Sequence, residues 1–259
     1  MNRINTLFAS GKQKILSVYF CAGYPTADST CEIIERLAAS GVDMIEIGIP
    51  FSDPMADGEV IQRASTAALR GGMSLAKLFS QLENIRSTVS IPLILMGYLN
   101  PIMQFGFDRF CRKCSETGID GCIIPDLPFD RYLSDYKPFA DKYDLRTIML
   151  ITPETDEQRI RLIDKNCSGF IYMVSSASTT GTKDRFTDEQ IAYFKRINRM
   201  PLQHNRLIGF GISNPATLQE AFGNSSGAII GSLFIKCLNR HSDNISQAVS
   251  ELLTTIGIK

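Results

Sequence analysis

Residues 44–58 read MIEIGIPFSDPMADG, an apolar strand-like run followed by a loop rich in proline and aspartate. Side chains alternate along a strand, so Glu46 shares one face with Met44 and Gly48, while Ile45 and Ile47 share the other. This stretch therefore predicts a strand that carries a carboxylate into the protein interior and ends in an acidic loop.

A buried carboxylate needs a physical reason. Burial raises the pKa of a glutamate above its reference value of about 4.3, which suits a group that takes and gives protons near neutral pH. The alternative is that Glu46 pairs with a lysine or arginine across the core. Asp53 and Asp57, in the loop that follows, favour the catalytic interpretation because strand-end loops commonly carry chemistry.

Apolar strand-like runs alternate with amphipathic stretches along the whole chain. The predicted strands are 15–21, 44–49, 92–96, 121–124, 146–151, 169–173, 207–209 and 227–230. Amphipathic helices are predicted at 29–39, 75–85, 107–117, 157–164 and 188–197. Such alternation is typical of parallel strands joined by right-handed crossovers.

Eight strand–helix units favour an α/β fold, a (β/α)8 TIM barrel formed by residues 1–259 as a single domain. An open doubly wound sheet usually carries an early G-x-G-x-x-G motif, which this chain lacks. Residues 4–9 are expected to form an N-terminal helix that closes the bottom. Residues at the strand ends would then converge on one mouth: Glu46, Asp57, Tyr98, Asn100, Asp126, Thr180, Gly211 and Gly231.

Composition excludes several classes of protein. With 27 basic and 27 acidic side chains, the chain offers no electrostatic footprint for nucleic acid or an anionic membrane. No apolar run reaches the roughly 20 residues of a membrane helix, and the N-terminus does not resemble a signal peptide. Seven scattered cysteines indicate reduced thiols in the cytoplasm. Cys111 and Cys114 form a C-x-x-C that is expected to mark one helix face, and no metal is predicted.

Small residues follow the last two predicted strands, as GFGIS at 209–213 and GSLF at 231–234. Amides at a helix N-terminus can bind an anion, and barrels often hold phosphate after strands seven and eight. Ordinary turn chemistry is the alternative for each segment alone. A third segment, residues 174–185, is rich in small polar residues and is interpreted as a lid, with an ordinary solvated loop as the alternative.

The chain resembles the tryptophan synthase alpha chain family from its first helix to its last. The matching segments are 22–25, 46–58, 95–101, 124–128, 209–213 and 227–232. The resemblance implies retro-aldol cleavage of indole-3-glycerol phosphate to indole and D-glyceraldehyde 3-phosphate. It also implies that Glu46 and Asp57 are the catalytic pair and that this chain needs no cofactor or metal.

The resemblance further assigns ligand-binding residues. The phosphate would be held by Gly181, Phe210, Gly211, Gly231 and Ser232. The indole pocket and lid would comprise Tyr19, Ile61, Met96, Ile123, Tyr172, Thr180 and Ile229, where Thr180 is expected to touch Asp57. Without the resemblance, the apolar members would be interpreted as ordinary barrel core.

A partner is implied as well: the tryptophan synthase beta chain, which carries pyridoxal phosphate and receives indole in an alpha2beta2 heterotetramer. Its contact side would include Pro50, Asp53, Asn100 and Pro128. Two departures from the family pattern are the Ser178-Thr179 pair in the lid and Glu59, which replaces a common proline.

Two rival functions stay open at this point. One is another phosphate-binding barrel that acts on a phosphorylated sugar, against which the paired Glu46 and Asp57 argue. The other is a non-catalytic barrel subunit that allosterically activates the beta chain. Retention of Glu46, Asp57, Thr180 and the phosphate-site glycines argues against this second alternative.

Overall fold

The computed structural model describes residues 2–175 and 185–258, in which eight parallel strands form a closed barrel in chain order. The strands are β1 Ile15–Cys21, β2 Met44–Gly48, β3 Leu93–Met96, β4 Gly121–Ile123, β5 Arg146–Ile151, β6 Phe170–Val174, β7 Asn205–Gly209 and β8 Gly227–Ile230. The predicted (β/α)8 fold is confirmed. The barrel closes where β1 pairs with β8, with Val18 opposite Ile230.

Predicted and observed strands differ by at most two residues at any end. The largest difference is at β7, which begins at Asn205 rather than at residue 207. Asn205 and Arg206 are polar and partly exposed, so the apolar pattern begins only at Leu207 although the backbone pairs earlier.

Helices surround the barrel. They are α1 Arg3–Ala9, α2 Thr30–Ala39, α3 Glu59–Arg70, α4 Leu75–Leu82, α5 Leu99–Phe105, α6 Phe107–Thr117, α7 Phe129–Arg131, α8 Lys137–Lys142, α9 Glu157–Asn166, α10 Asp188–Asn198, α11 Pro215–Asn224, α12 Ser232–Arg240 and α13 Ile245–Thr255. A 3-10 turn spans Ile85–Ser87 and a π-helical turn spans Tyr132–Tyr136. Several N-termini are set by side-chain caps, such as Ser74 before α4 and Thr187 before α10.

The strands bury both faces. Outward-facing residues such as Val18, Ile45 and Leu95 pack against the helices in the larger apolar cluster. Inward-facing residues form a second cluster inside the barrel, which includes Ile15, Met44 and Ile94. Since both faces are covered, the strands have nearly continuous apolar sequences, and alternation alone does not identify the inner face.

The N-terminal helix α1 closes the bottom of the barrel, as predicted. Ile4 is fully buried in the inner cluster, and the Phe8 ring lies 5.8 Å from the ring of Phe170. The Asn2 side chain caps the helix and donates hydrogen bonds of 2.9 Å to the carbonyls of Asp120 and Asp144. The helix is therefore tied to the ends of the barrel strands by apolar and polar contacts.

All seven cysteines are free thiols. Cys111 and Cys114 are buried on one face of α6, as the C-x-x-C spacing predicted. Within residues 2–175 and 185–258, no group of three or more His, Cys, Asp or Glu side chains is arranged to hold a metal ion. Over the same residues, no helix is both long and apolar enough to cross a membrane.

Candidate active site

Glu46 lies in the middle of β2 with its side chain completely buried inside the barrel. The Ser17 hydroxyl donates a hydrogen bond of 2.9 Å to Glu46 Oε1, whereas Oε2 is buried with no hydrogen-bond partner. No lysine, arginine or histidine of the described chain forms an ion pair with this carboxylate. Within residues 2–175 and 185–258, a structural ion pair therefore does not account for the burial of Glu46.

Burial raises the pKa of Glu46 to about 8, and the Ser17 hydrogen bond opposes this shift in part. A carboxyl group with this pKa is mostly protonated at pH 7 and can still lose its proton readily. The pKa of Glu46 is thus raised, as its position in an apolar strand predicted.

Asp57 lies in the loop between β2 and α3 and is partly buried. The Tyr98 hydroxyl donates a hydrogen bond of 3.1 Å to Asp57 Oδ2 and accepts one of 2.9 Å from the amide of Ala56. Burial raises the pKa of Asp57, and the Tyr98 hydrogen bond counteracts the shift. The loop is also held at its start, where the amide of Phe51 donates to Ser65 Oγ at 2.9 Å.

The six apolar residues expected to form an indole pocket belong to a single buried cluster inside the barrel. They are Tyr19, Ile61, Met96, Ile123, Tyr172 and Ile229. Five lie on strands, whereas Ile61 is contributed by the first turn of α3. The structure therefore brings these residues together beside Glu46.

Two of these residues lean over glycines on neighbouring strands. A Cβ on Gly48 would lie 2.2 Å from the Tyr19 hydroxyl oxygen, and one on Gly209 would lie 2.1 Å from that of Tyr172. Burial raises the pKa of both phenols, and the charges of Glu46 and Asp57 raise it further. The two phenols and the two carboxylates therefore share one electrostatic environment.

The ends of β7 and β8 present backbone amides suited to an anion. Gly231 is the N-cap of α12 and Ser232 is its first residue, and amides in the first helical turn lack helical acceptors. Phe210 and Gly211 both have positive φ, 70° and 75°, directly after β7. The Ser175 hydroxyl fixes this turn by donating a hydrogen bond of 2.8 Å to the carbonyl of Phe210.

Two residues expected at the site, Thr180 and Gly181, lie outside the described residues, as does most of the segment interpreted as a lid. The described residues on either side of it pack beside β7. The Ser175 carbonyl accepts a hydrogen bond of 2.9 Å from Gln190 Nε2. The buried Phe186 ring lies 5.2 Å from the ring of Phe194.

The remaining mouth residues differ in position. Asp126 is exposed, and its Oδ1 accepts a 2.8 Å hydrogen bond from the amide of Leu99, the first residue of α5. This carboxylate therefore orders a helix N-terminus. Asp53 and Pro128 are exposed on the loops after β2 and β4, and Asn100 is exposed in the first turn of α5, which follows β3, whereas Pro50 is buried. Glu59 points outward at the start of α3 and pairs with Arg63.

Sequence reasoning missed the role of two residues. Tyr98 was predicted at the mouth but without a partner, and Ser17 was not considered. A signal for Ser17 exists, because it lies two residues before Tyr19 on the same strand face and is polar among apolar neighbours.

A family model described as "Tryptophan synthase alpha chain" matches residues 6–258 of this chain. The chain belongs to the tryptophan synthase alpha chain family. The resemblance read from the sequence is thereby confirmed.

Relatives with the same name are similar over their whole length. The tryptophan synthase alpha chain of Parabacteroides distasonis is 60% identical over 256 residues, which cover 99% of each chain. That of Bacteroides fragilis is 59% identical over 258 residues, which cover 100% of this chain and 98% of the relative.

Solved structures of the family have the same fold. Tryptophan synthase subunit alpha from Legionella pneumophila str. Paris superimposes with a TM-score of 0.88 at 32% identity, covering 99% of this chain and 97% of that one. A chain of the tryptophan synthase complex from Pyrococcus furiosus gives a TM-score of 0.86 at 28% identity, covering 95% and 99%.

Proposed function

We propose that this chain cleaves indole-3-glycerol phosphate into indole and D-glyceraldehyde 3-phosphate, a carbon–carbon lyase reaction in the last stage of L-tryptophan biosynthesis. The observation that carries the proposal is Glu46, a fully buried carboxyl group with a raised pKa and one unpartnered oxygen. It lies among the apolar side chains of a pocket that suits an indole ring.

Glu46 and Asp57 divide the proton chemistry between them. Because burial raises its pKa to about 8, Glu46 begins protonated and donates its proton to C3 of the indole ring. Asp57 accepts a hydrogen bond from the indole N–H and offsets the positive charge that C3 protonation places on the ring.

Bond cleavage then restores the starting state of the enzyme. The Glu46 carboxylate removes the proton from the hydroxyl on the glycerol carbon bonded to C3, and that carbon becomes the aldehyde. The electron pair of the broken C–C bond returns to the ring and restores aromatic indole. Glu46 ends protonated, so the two proton transfers balance without a redox step or a cofactor in this chain.

The rest of the site would hold the substrate in place. Tyr19, Ile61, Met96, Ile123, Tyr172 and Ile229 would enclose the indole ring, and Thr180 would touch Asp57. Gly181, Phe210, Gly211, Gly231 and Ser232 would bind the phosphate with backbone amides. The two groups adjoin each other, since the Phe210 ring lies 6.2 Å from that of Tyr172 and a Cβ on Gly231 would lie 3.2 Å from the Tyr19 ring. One substrate with an aromatic and an anionic end could therefore reach both.

We further propose that the chain works in the cytoplasm with a pyridoxal phosphate-containing beta chain in an alpha2beta2 assembly and passes indole to it. Three residues assigned to the contact side are exposed after the neighbouring strands β2, β3 and β4: Asp53, Asn100 and Pro128. Met55, in the same loop as Asp53, is 89% exposed. An exposed methionine at the mouth supports a protein partner on this side.

The test is indole release by wild type, Glu46→Gln and Glu59→Gln, each alone and with a tryptophan synthase beta chain. Glu46→Gln keeps the side-chain shape but cannot shuttle a proton, so cleavage should fall at least 100-fold. Glu59→Gln makes the same chemical change at an exposed helix start and should match wild type.

Equal activity of Glu46→Gln and wild type would overturn the assigned role of Glu46. Wild type without cleavage activity under either condition, yet able to stimulate the beta chain, would instead support the non-catalytic alternative.

A further inference from the structure

We propose that Ser17 is a positioning residue for Glu46: its hydroxyl fixes Oε1 and leaves Oε2 as the oxygen that exchanges protons with the substrate. The inference rests on the proposed function of Glu46. It assigns a separate task to each carboxyl oxygen and names the group that enforces it.

Among the described residues, the Ser17 hydroxyl has one hydrogen-bond partner, Glu46. Ser17 is fully buried on β1, opposite Met44 on β2 and Ile229 on β8. These neighbours are apolar, and the Ser17 hydroxyl lies 2.9 Å from Glu46 Oε1. Because an unpaired buried hydroxyl is costly, this environment keeps the donor directed at the carboxyl group.

This direction of donation decides where the proton of neutral Glu46 resides. Oε1 accepts from Ser17, so a proton on that oxygen would compete with the incoming O–H. The acidic proton is therefore favoured on Oε2, the oxygen with no hydrogen-bond partner. A proton on Oε2 is free to be donated, and after it leaves Ser17 still stabilises the carboxylate.

The other groups near Glu46 do not duplicate this role. Among the described residues, Glu46 acts electrostatically on Tyr19 of β1 and Tyr172 of β6, and Asp57 in the β2–α3 loop acts on the same two phenols. In the described part of the chain, Ser17 is the one hydrogen-bond donor to Glu46 and lowers a pKa that burial raises. Its loss should raise that pKa further, by about one unit.

A matched pair of variants isolates the hydroxyl. Ser17→Thr keeps the hydroxyl and adds a methyl group, and Ser17→Val has nearly the same shape as that threonine but no hydroxyl. Ser17→Ala removes the hydroxyl without adding volume. Thr147→Val is the control, since Thr147 is a buried hydroxyl residue on β5 whose contact, with Cys122 Sγ at 3.9 Å, lies in the outer layer.

The first readout needs no substrate. Each full-length variant is labelled with carbon-13 at the glutamate side-chain carboxyl and titrated by NMR, with the Glu46 signal assigned by its absence in Glu46→Gln. We expect the pKa of Glu46 to be about one unit higher in Ser17→Ala and Ser17→Val than in wild type. Ser17→Thr and Thr147→Val should match wild type. A Glu46 signal that titrates alike in all of them would overturn the inference.

The second readout is the pH profile of indole release. Because cleavage begins with protonated Glu46, activity should fall as pH rises through its pKa, and this alkaline limb should move upward in Ser17→Ala. We also expect kcat to decrease about 10-fold, with rescue by Ser17→Thr. Wild type without cleavage would overturn the proposed function alone, whereas unshifted titration in Ser17→Ala and Ser17→Val would overturn this inference alone.

Discussion

The hydroxyl of Tyr98 connects the end of β3 to Asp57, with 3.1 Å between the phenolic oxygen and Asp57 Oδ2. The same oxygen accepts 2.9 Å from the amide of Ala56. One side chain therefore fixes both the backbone and the carboxylate of the loop that carries Asp57. Strands β2 and β3 are neighbours in the barrel. Tyr98, after β3, therefore holds the loop that follows β2.

Tyr98→Phe should lower kcat/KM for indole release about 10-fold, because the loop loses two hydrogen bonds and Asp57 loses its orientation. The hydroxyl also lowers the pKa of Asp57, against the effect of burial. Its removal should raise that pKa and shift the acid limb of the kcat/KM profile to higher pH.

Tyr193→Phe is the control for this change. Tyr193 is buried on α10, and its hydroxyl donates a hydrogen bond of 3.2 Å to the carbonyl of Ile151, away from Glu46 and Asp57. Its loss should cost about 1 kcal/mol of folding free energy and leave the pH profile unchanged. An acid limb that shifts equally in both variants would contradict the role given to Tyr98.

The stability of the protein should depend on Glu46 and pH in a defined direction. The folded-state pKa of Glu46, about 8, lies above the ordinary glutamate value of 4.5, so the folded state binds the proton more tightly than the unfolded chain. The contribution of protonated Glu46 to the folding free energy is fully present below about pH 4.5 and is lost as pH rises through about 8.

Glu46→Gln removes the free-energy cost of ionising a buried carboxyl group at high pH. Its melting temperature should exceed that of wild type by several degrees at pH 8.5 and approach it at pH 4.5. Differential scanning calorimetry across this range measures the difference, with Glu59→Gln as an exposed control. A pH-independent difference between Glu46→Gln and wild type would contradict the buried, neutral state of Glu46.

Gly48→Ala should destabilise the barrel by about 1–3 kcal/mol, because the new Cβ would lie 2.2 Å from the Tyr19 hydroxyl oxygen. Displacing this ring should also raise KM, since Tyr19 lines the pocket. Chemical denaturation and steady-state kinetics measure both effects. Gly223→Ala is the control: its Cβ meets nothing within 4 Å, so this helical alanine should stabilise by about 0.5–1 kcal/mol.

Met55→Asp should weaken association with the beta chain about 10-fold or more while leaving the melting temperature nearly unchanged. The reason is that Met55 is 89% exposed in the loop next to Asp53 and contributes little to the core. Titration calorimetry or analytical ultracentrifugation measures the affinity. Leu162→Asp, 41% exposed on α9, is the matched control, and equal weakening by both changes would contradict an interface at Met55.

The fold was predictable because each strand carries its own signal. Runs such as Ile15–Cys21 and Arg146–Ile151 were located from composition at the bounds that the structure shows. β7 was predicted two residues short, since Asn205 and Arg206 pair in the sheet through backbone groups that polar side chains do not reveal. Hydrogen bonding between main chains is largely independent of residue type, so pattern alone cannot fix such an end.

The candidate site was predictable to the extent that residues lie at strand ends. Glu46 was predicted to be a buried carboxylate because it lies within an apolar strand, although alternation did not say which buried face points into the barrel. Ser17 could not be linked to Glu46 in the same way, because 29 residues separate them and only the pairing of β1 with β2 brings them together. The hydrogen bond from Tyr98 to Asp57 likewise depends on the path of a loop.

The sequence by itself determined the order of strands and helices, the burial of Glu46 and the glycines at the ends of β7 and β8. These follow from local preferences and from the period of apolar residues, which each segment carries alone. Only the tertiary structure decided which oxygen of Glu46 accepts a hydrogen bond and how Tyr98 holds Asp57. It also decided that a side chain in place of Gly48 would collide with Tyr19. Those features depend on distances between separate strands, and such distances exist only once the barrel has closed.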